Sequence, residues 1–273
     1  MFLLMSIATT IGLSGLIAYP VGFLGYLFYF LTFMLAVLLV IVVLMVFFIL
    51  VFLISGKKHP KAMFKHHVLN YYAYFVFVFL KGVRFKVIGK ENLPKNSKFV
   101  IFANHIEYTD PIYLKIIFNR YPIAFVSKEV LFKNPLVNMV FRSMGSIPIS
   151  PNADRSALNS IAEGIRIVKG GQPFGIFPEG KRTYSHTMIP FRPGAFKLAT
   201  KADADIVPVC LYNMHEIFRK GRKPIVHVIV EVLPIIKAED YQAMDTPALA
   251  EKVFDVIDTC LKKHQHGTKT VNQ

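Results

Sequence analysis

The chain reads as an α/β protein: a largely parallel mixed sheet flanked by helices, behind an N-terminal hydrophobic helical membrane anchor. Three observations carry that reading. Residues 1–56 contain no Asp, Glu, Lys or Arg. Beyond them, short apolar runs alternate with stretches of helical periodicity, the pattern of a parallel sheet with covered faces. About 190 residues, 85–273, follow the anchor and its basic segment, enough for one substantial domain.

The first charged residue is Lys57. As one continuous helix, the 56 residues ahead of it would run about 80 Å, against a hydrocarbon core of about 30 Å. Pro20, between Tyr19 and the glycines Gly22 and Gly25, is the expected break. The run is therefore expected as two membrane helices, or as a shorter re-entrant piece followed by a long span over about 24–54. A cleaved signal peptide fits poorly, since no basic leader precedes the run and the run is too long.

Residues 57–98 hold ten Lys or Arg and a single acid, Glu91. By the positive-inside rule this cluster assigns the following domain to the cytoplasmic side of the cell membrane. It also suits anionic headgroups. Between its basic ends, Leu69–Leu80 is aromatic-rich and uncharged, which suits the bilayer interface or, alternatively, an ordinary buried helix or strand. The expected plan is an anchor over 1–56, a basic and aromatic interfacial segment over 57–84, and a domain over 85–273. The net charge of +15 would suit nucleic acid too. No zinc-knuckle, helix-turn-helix or RNP-type pattern accompanies it, so membrane lipid is the expected partner and nucleic acid is not. Cys210 and Cys260 sit in apolar settings far apart in sequence and read as reduced core thiols.

Within the domain, Phe99-Val100-Ile101-Phe102 reads as a buried strand over 99–104, and Asp110-Pro111 as the start of a helix over 110–119. A short strand follows over 123–127, a helix over 135–144 and an extended piece over 147–149. Leu158, Ile161, Ile165 and Val168 fall at spacings of three and four, giving a helix over 154–168. A strand over 174–177 comes next, then a helix over 194–201 opened by Pro193, and strands over 206–211 and 225–233. The last helix starts at Thr246-Pro247 and carries Leu249, Val253, Val256 and Ile257 on one face.

His105 therefore falls where a strand empties into a loop, with Asp110 close enough to orient its ring. In open α/β sheets that carboxyl edge is where ligands bind. Taken alone, Asp110 also reads as a helix N-cap with Pro111 at the first helical position, and His105 as a satisfied loop histidine. A second constellation, Phe174-Gly-Ile-Phe-Pro-Glu-Gly-Lys-Arg-Thr183, tilts the balance. It too is a strand ending in a polar turn, and right-handed crossovers bring that turn to the same sheet edge. Gly180 permits close backbone approach, Lys181 and Arg182 suit a phosphate, and Glu179 suits a substrate hydroxyl. The plain alternative for Glu179 is a solvated surface turn.

Gly175-x-x-x-x-Gly180-Lys181 approaches a P-loop, but Arg182 stands where magnesium binding needs Ser or Thr, and Ile-Phe-Pro-Glu is too bulky to cradle phosphates. Gly12-Leu-Ser-Gly15 is one residue short of a nucleophile elbow and lies in the anchor. No His-Glu-x-x-His metal site occurs, and His66-His67 has no partner at a useful spacing. A His/Asp pair without a protein nucleophile implies that the substrate supplies one. A hydroxyl would give its proton to His105 as it attacks an acyl group.

Asn104-His105-x4-Asp110, followed by Phe177-Pro178-Glu179-Gly180, resembles the glycerolipid acyltransferase family and, within it, the bacterial 1-acylglycerol-3-phosphate acyltransferase branch. Val87-Ile-Gly-Lys-Glu-Asn-Leu-Pro94, Ser127-Lys128-Glu129 and Arg192-Pro-Gly-Ala-Phe-Lys-Leu-Ala199 leading into Ile206-Val-Pro-Val209 extend the resemblance to roughly residues 85–235. It implies transfer of a fatty acyl group from acyl-CoA or acyl-carrier protein to the sn-2 hydroxyl of lysophosphatidic acid, giving phosphatidic acid, with no metal or other cofactor. It makes His105 the general base and Asp110 the group that holds its tautomer. Glu179 and Gly180 would help bind the glycerol phosphate, Lys181 and Arg182 would contact the phosphate, and Pro208 belongs to a block associated with the acyl chain. Two positions depart from the pattern. Glu107 stands where the family often has Ser. The family's second block usually has an Arg soon after Gly-x-Ile-x-Ile, whereas Gly145-Ser-Ile-Pro-Ile149 is followed by five residues before Arg155, the candidate phosphate ligand there. Another acceptor, such as glycerol 3-phosphate or a lysophospholipid, and a non-catalytic membrane-tethered lipid-binding module remain the alternatives.

Overall fold

The uncharged N-terminal run folds, over its described part, as one helix, α1 (Phe23–Ser55). The computed structural model describes residues 23–271 apart from 57 and 151–153, so the break expected at Pro20 and any helix before it lie outside the described residues. The span expected over about 24–54 is α1 itself. Its 33 residues run about 50 Å, more than a bilayer's apolar core. Apolar side chains are exposed all round it, from Leu24 to Ile54. The Thr32 hydroxyl donates to the carbonyls of Phe28 and Tyr29 at 3.0 and 2.9 Å, so it needs no water.

The chain divides into two compact units, Met1–Ser55 and Gly56–Gln273. The second opens with α2 (Met63–Tyr74), which widens into a π-helical turn over Phe75–Leu80 before strand β1 (Val83–Ile88). Ala73 and Phe77 are buried, while Tyr71, Tyr74, Phe79 and Leu80 are exposed. The aromatic segment is thus helical, half packed and half facing outward.

Six further strands complete the sheet: β2 (Phe99–Ala103), β3 (Ala124–Lys128), β4 (Ile147–Ile149), β5 (Phe174–Ile176), β6 (Asp205–Tyr212) and β7 (Val226–Val232). Their order is β1-β7-β6-β2-β5-β3-β4. Every pairing is parallel except β6 with β7. This is the expected largely parallel mixed sheet, with β1 as an edge strand that the sequence reading did not anticipate.

Helices cover both faces. Val100 and Phe102 of β2 pack with residues of α5 (Asp154–Lys169), α6 (Lys197–Thr200) and α7 (Thr246–Val271). Phe99, Ile101 and Ala103 pack the other way, against α3 (Asp110–Ile117) and α2. Burial on both faces explains why β2 is apolar at every position. The helix expected over 194–201 is instead a 3-10 turn over Pro193–Phe196 followed by α6. α4 (Pro135–Ser143) starts with the Asn134 side chain accepting from the N–H groups of Leu136 and Val137.

A buried polar contact ties α2 to α3. The His66 ring donates from Nε2 to Pro60 O at 2.8 Å, and its Nδ1 receives the Lys115 amine at 3.0 Å. The same amine donates to Ile123 O at 2.9 Å, and burial pulls its pKa down to about 7.

Gly175 of β5 makes room for a ring. A methyl group there would stand 2.2 Å from Phe125, which in turn lies parallel to Phe177. Gly175→Ala is expected to overpack this layer and cost about 1–3 kcal/mol. Denaturant unfolding checks it, and a midpoint equal to wild type would mean that the Phe125 ring yields freely.

Candidate active site

The site begins where β2 ends. Backbone pairing with β6 stops at Ala103 and Val209. The Asn104 amide then takes over: its Nδ2 donates to Leu211 O at 2.9 Å and its Oδ1 accepts from Leu211 N at 2.8 Å. The main chain is released toward the rim, and His105 is the first residue after the handover.

The loop from His105 to Asp110 is wrapped around one carboxylate oxygen. Asp110 Oδ2 accepts from the His105 ring Nδ1 at 2.9 Å, from Ile106 N at 2.7 Å and from Glu107 N at 2.8 Å. Asp110 is not the helix cap that the Asp-Pro pair suggested. Thr109 takes the cap position, and Asp110 opens α3 with its side chain turned back into the loop. Burial pushes its carboxyl upward, while the His105 ring and the N–H groups of Glu107 and Ile106 oppose that shift. Three donors converging on one oxygen describe the ionised form. With Nδ1 engaged, Nε2 is the nitrogen of His105 on which a proton can be received.

β5 lies beside β2 and runs parallel to it, so Phe177-Pro178-Glu179-Gly180 emerges at the same edge. Glu179 is only 2% exposed. Its Oε1 accepts from the backbone N–H of His105 at 2.8 Å and its Oε2 from Ile189 N at 3.1 Å. It is therefore a buried tie between two loops, and not the solvated turn that composition alone would give. The next segment adds two more ties, Thr183 N to His105 O at 2.9 Å and Tyr184 N to Ile106 O at 3.1 Å. Tyr184 adopts φ 53°, a left-handed conformation rare for a bulky residue. The Phe177 ring stacks on the imidazole of His105 with centroids 4.2 Å apart.

Gly180 has φ +73°, and a side chain there would meet the Arg192 guanidinium, whose Nε lies 2.8 Å from the Cβ position. Lys181 is exposed, while Arg182 is half-buried with its guanidinium 5.2 Å from the Tyr184 ring centre. Glu107 is buried beside them. Burial pushes its carboxyl up, and the charges of Arg182 and His105 partly offset this.

The sheet edge thus gathers His105, Asp110, Glu179, Gly180, Lys181 and Arg182. Pro208 lies elsewhere, buried within β6 opposite Phe102, three residues before Leu211 and so about 10 Å down the strand from the rim. Arg155 stands in the first turn of α5, and its side chain lies outside the described residues. Sequence reasoning missed the structural parts played by Asn104, Phe177, Ile189 and Arg192. Asn104, Phe177 and Arg192 each open a quoted motif or block, but nothing in their spacing told what they would hold, and nothing marked Ile189.

Burial raises Glu179 from 4.5 to about 7, against the opposing N–H bonds from His105 and Ile189. A carboxyl that holds its proton more tightly when folded stabilises the fold fully below about 4.5, and that contribution is lost as pH rises through about 7. Glu179→Gln binds no proton in this range, so its stability should lack this downward slope. Thermal midpoints taken from about pH 5 to about pH 8 read the difference. An identical slope in the variant would remove Glu179 as its source.

Comparison with known proteins finds relatives in sequence and in fold. Residues 84–212 match the family described as Acyltransferase. The 1-acyl-sn-glycerol-3-phosphate acyltransferase of Borreliella burgdorferi is 31% identical over 189 residues, 67% of this chain and 75% of that protein. The Bacillus subtilis protein of the same name is 31% identical over 144 residues, 52% of this chain and 70% of that protein. The crystal structure of the 1-acyl-sn-glycerophosphate (LPA) acyltransferase PlsC from Thermotoga maritima superposes with a TM-score of 0.64 at 21% identity, covering 82% of this chain and 95% of that one. That structure shares the fold. With so much of the Borreliella protein aligned at this identity, the chain belongs to the acyltransferase family.

Proposed function

We propose that this protein transfers a fatty acyl group from a thioester donor to the sn-2 hydroxyl of 1-acyl-sn-glycerol 3-phosphate, giving phosphatidic acid. The single observation that carries the reading is the His105–Asp110 pair, held at 2.9 Å at the sheet rim. The names of the similar proteins supply the acceptor.

The acceptor hydroxyl gives its proton to His105 Nε2 as its oxygen attacks the thioester carbonyl. Asp110, hydrogen-bonded to Nδ1, supports the imidazolium that results. The tetrahedral intermediate then expels the thiol sulfur, which takes the proton back from His105. Phosphatidic acid and a free thiol leave, and the enzyme is unchanged. Acyl-CoA or acyl-carrier protein serves as the donor, and no proton or electron in this sequence calls for a metal or other cofactor.

Arg182 and Lys181 are the cations next to the His105 loop and suit the acceptor phosphate, with Arg155 a further candidate. Glu179 acts as a positioning residue, because backbone N–H groups take both of its oxygens. Pro208 acts at a distance, by shaping the sheet under the site. Asn104 and Phe177 fix the direction and tilt of the imidazole.

α1 anchors the chain in the membrane. The exposed apolar side of α2 and its π-helical turn rests at the interface among Lys58, Lys61, Lys81 and Arg84. The excess of positive charge after α1 supports a cytoplasmic catalytic unit and pairs with anionic lipid headgroups.

Acyl transfer by the purified full-length protein in liposomes tests the proposal. Lysophosphatidic acid and glycerol 3-phosphate are offered separately, each with acyl-CoA and with acyl-carrier protein. Phosphatidic acid should form from lysophosphatidic acid, and His105→Ala should lower turnover about 10²–10⁴-fold without loss of folding. A folded His105→Ala protein that keeps its turnover would remove His105 as the base. Absence of transfer to either acceptor would overturn the reaction itself.

A further inference from the structure

A second cluster of reactive side chains lies on the α7 face of the sheet. Cys210 of β6 and Glu231 of β7 are directly opposite each other in the antiparallel pair, so their side chains leave the sheet on the same side. α7 covers that side. Its residues Cys260 and His264, four apart, stand one above the other on a single helical stripe.

The side chains of Glu231, Cys260 and His264 converge, and Cys210 adjoins them from β6. His264 Nε2 lies 2.7 Å from Glu231 Oε2. One donor atom each of Glu231, Cys260 and His264 fall within 4.8 Å of one another. Cys210 faces this cluster from β6, opposite Glu231, and both cysteines are buried and free of any disulfide. The cluster is shielded, with Cys210 fully buried, Cys260 5% exposed and the His264 and Glu231 side chains at 10% and 13%. Lys263 reaches Glu231 Oε1 only at 3.8 Å from a largely exposed position.

We propose that Cys210, Glu231, Cys260 and His264 form a structural binding site for a zinc ion. Two thiolates, an imidazole and a carboxylate match the donors of closed, four-coordinate zinc centres, and the sulfurs disfavour magnesium and calcium. The ligands come from two neighbouring strands and from one helical turn, so each element is held by the others before the ion arrives. Binding releases the two thiol protons and leaves the His264 ring proton on Nδ1, freeing Nε2 to coordinate. With all four positions filled by protein, no open position is left for substrate. The ion clamps α7 to β6 and β7 and takes no part in acyl transfer.

Full-length protein in detergent, stripped with chelator and then exposed to zinc and dialysed, is the material for the test. It should retain one zinc per chain. Its cobalt-substituted form should show thiolate-to-metal charge transfer together with tetrahedral d–d absorption. Cys260→Ser and Glu231→Gln should each weaken zinc binding by more than about 100-fold, beyond what loss of a merely supporting contact does. Zinc should raise the thermal midpoint of the wild type and leave that of the variants unmoved. Acyl transfer by Glu231→Gln should match that of the zinc-free wild type. If Cys260→Ser does not fold, Glu231→Gln and the wild-type cobalt spectrum decide. Zinc retained no better than by the variants, or cobalt bands without thiolate character, would overturn the site and leave an ordinary His–Glu pair beside two buried thiols.

Discussion

One oxygen atom organises the rim of the sheet. A buried carboxylate is costly unless donors surround it, and Asp110 Oδ2 collects its three from a single five-residue loop. The Ile106 and Glu107 amides can reach it only if the chain doubles back after β2. In that doubled-back form the His105 ring has its Nδ1 on the same oxygen. Loop shape, ring orientation and tautomer therefore have a common cause. Glu179 repeats the device from the neighbouring strand, taking the His105 amide with one oxygen and Ile189 with the other. The backbone of His105 is thus pinned from one side and its ring from the other.

Electrostatics at this rim are set by burial more than by charge. Glu107, Asp110 and Glu179 are all buried, and in each case burial is the largest influence on the carboxyl. Arg182 is the guanidinium that counters Glu107, and it leans on the Tyr184 ring. Tyr184 holds its left-handed backbone because its N–H reaches Ile106 O. The cation suited to the substrate phosphate is thereby coupled to the loop that carries the base.

Much of this was legible before any coordinates. β2 announced itself because a strand covered on both faces is apolar throughout, and α5 because its apolar residues recur at three and four. The two motifs were legible as a pair because parallel neighbours end at the same edge. β1 was not, since Val83, Phe85 and Val87 alternate with basic residues inside a stretch that suited a lipid surface. Its partner, β7, lies about 140 residues away, and only their pairing discloses it. The burial of Glu179 was not legible, because nothing local predicts that an amide from residue 189 will reach it. The meeting of Cys210 and Cys260 is likewise a product of the docking of α7, and spacing along the chain carries no trace of it. The helix expected after Pro193 was shortened by Pro193 and Gly194 at its start, where the chain takes the tighter 3-10 path.

The Asn104 amide has one further consequence. Along β2, alternate side chains point to opposite faces, and Phe99, Ile101 and Ala103 all point toward α3. Had the main chain continued its ladder by one more rung, position 105 would have inherited that direction and driven an imidazole beneath the helix, out of reach of any molecule. By forging the last rung from a side chain, the protein breaks the parity of the strand one residue early. His105 is a reagent and not a piece of core because the alternation was interrupted at its doorstep.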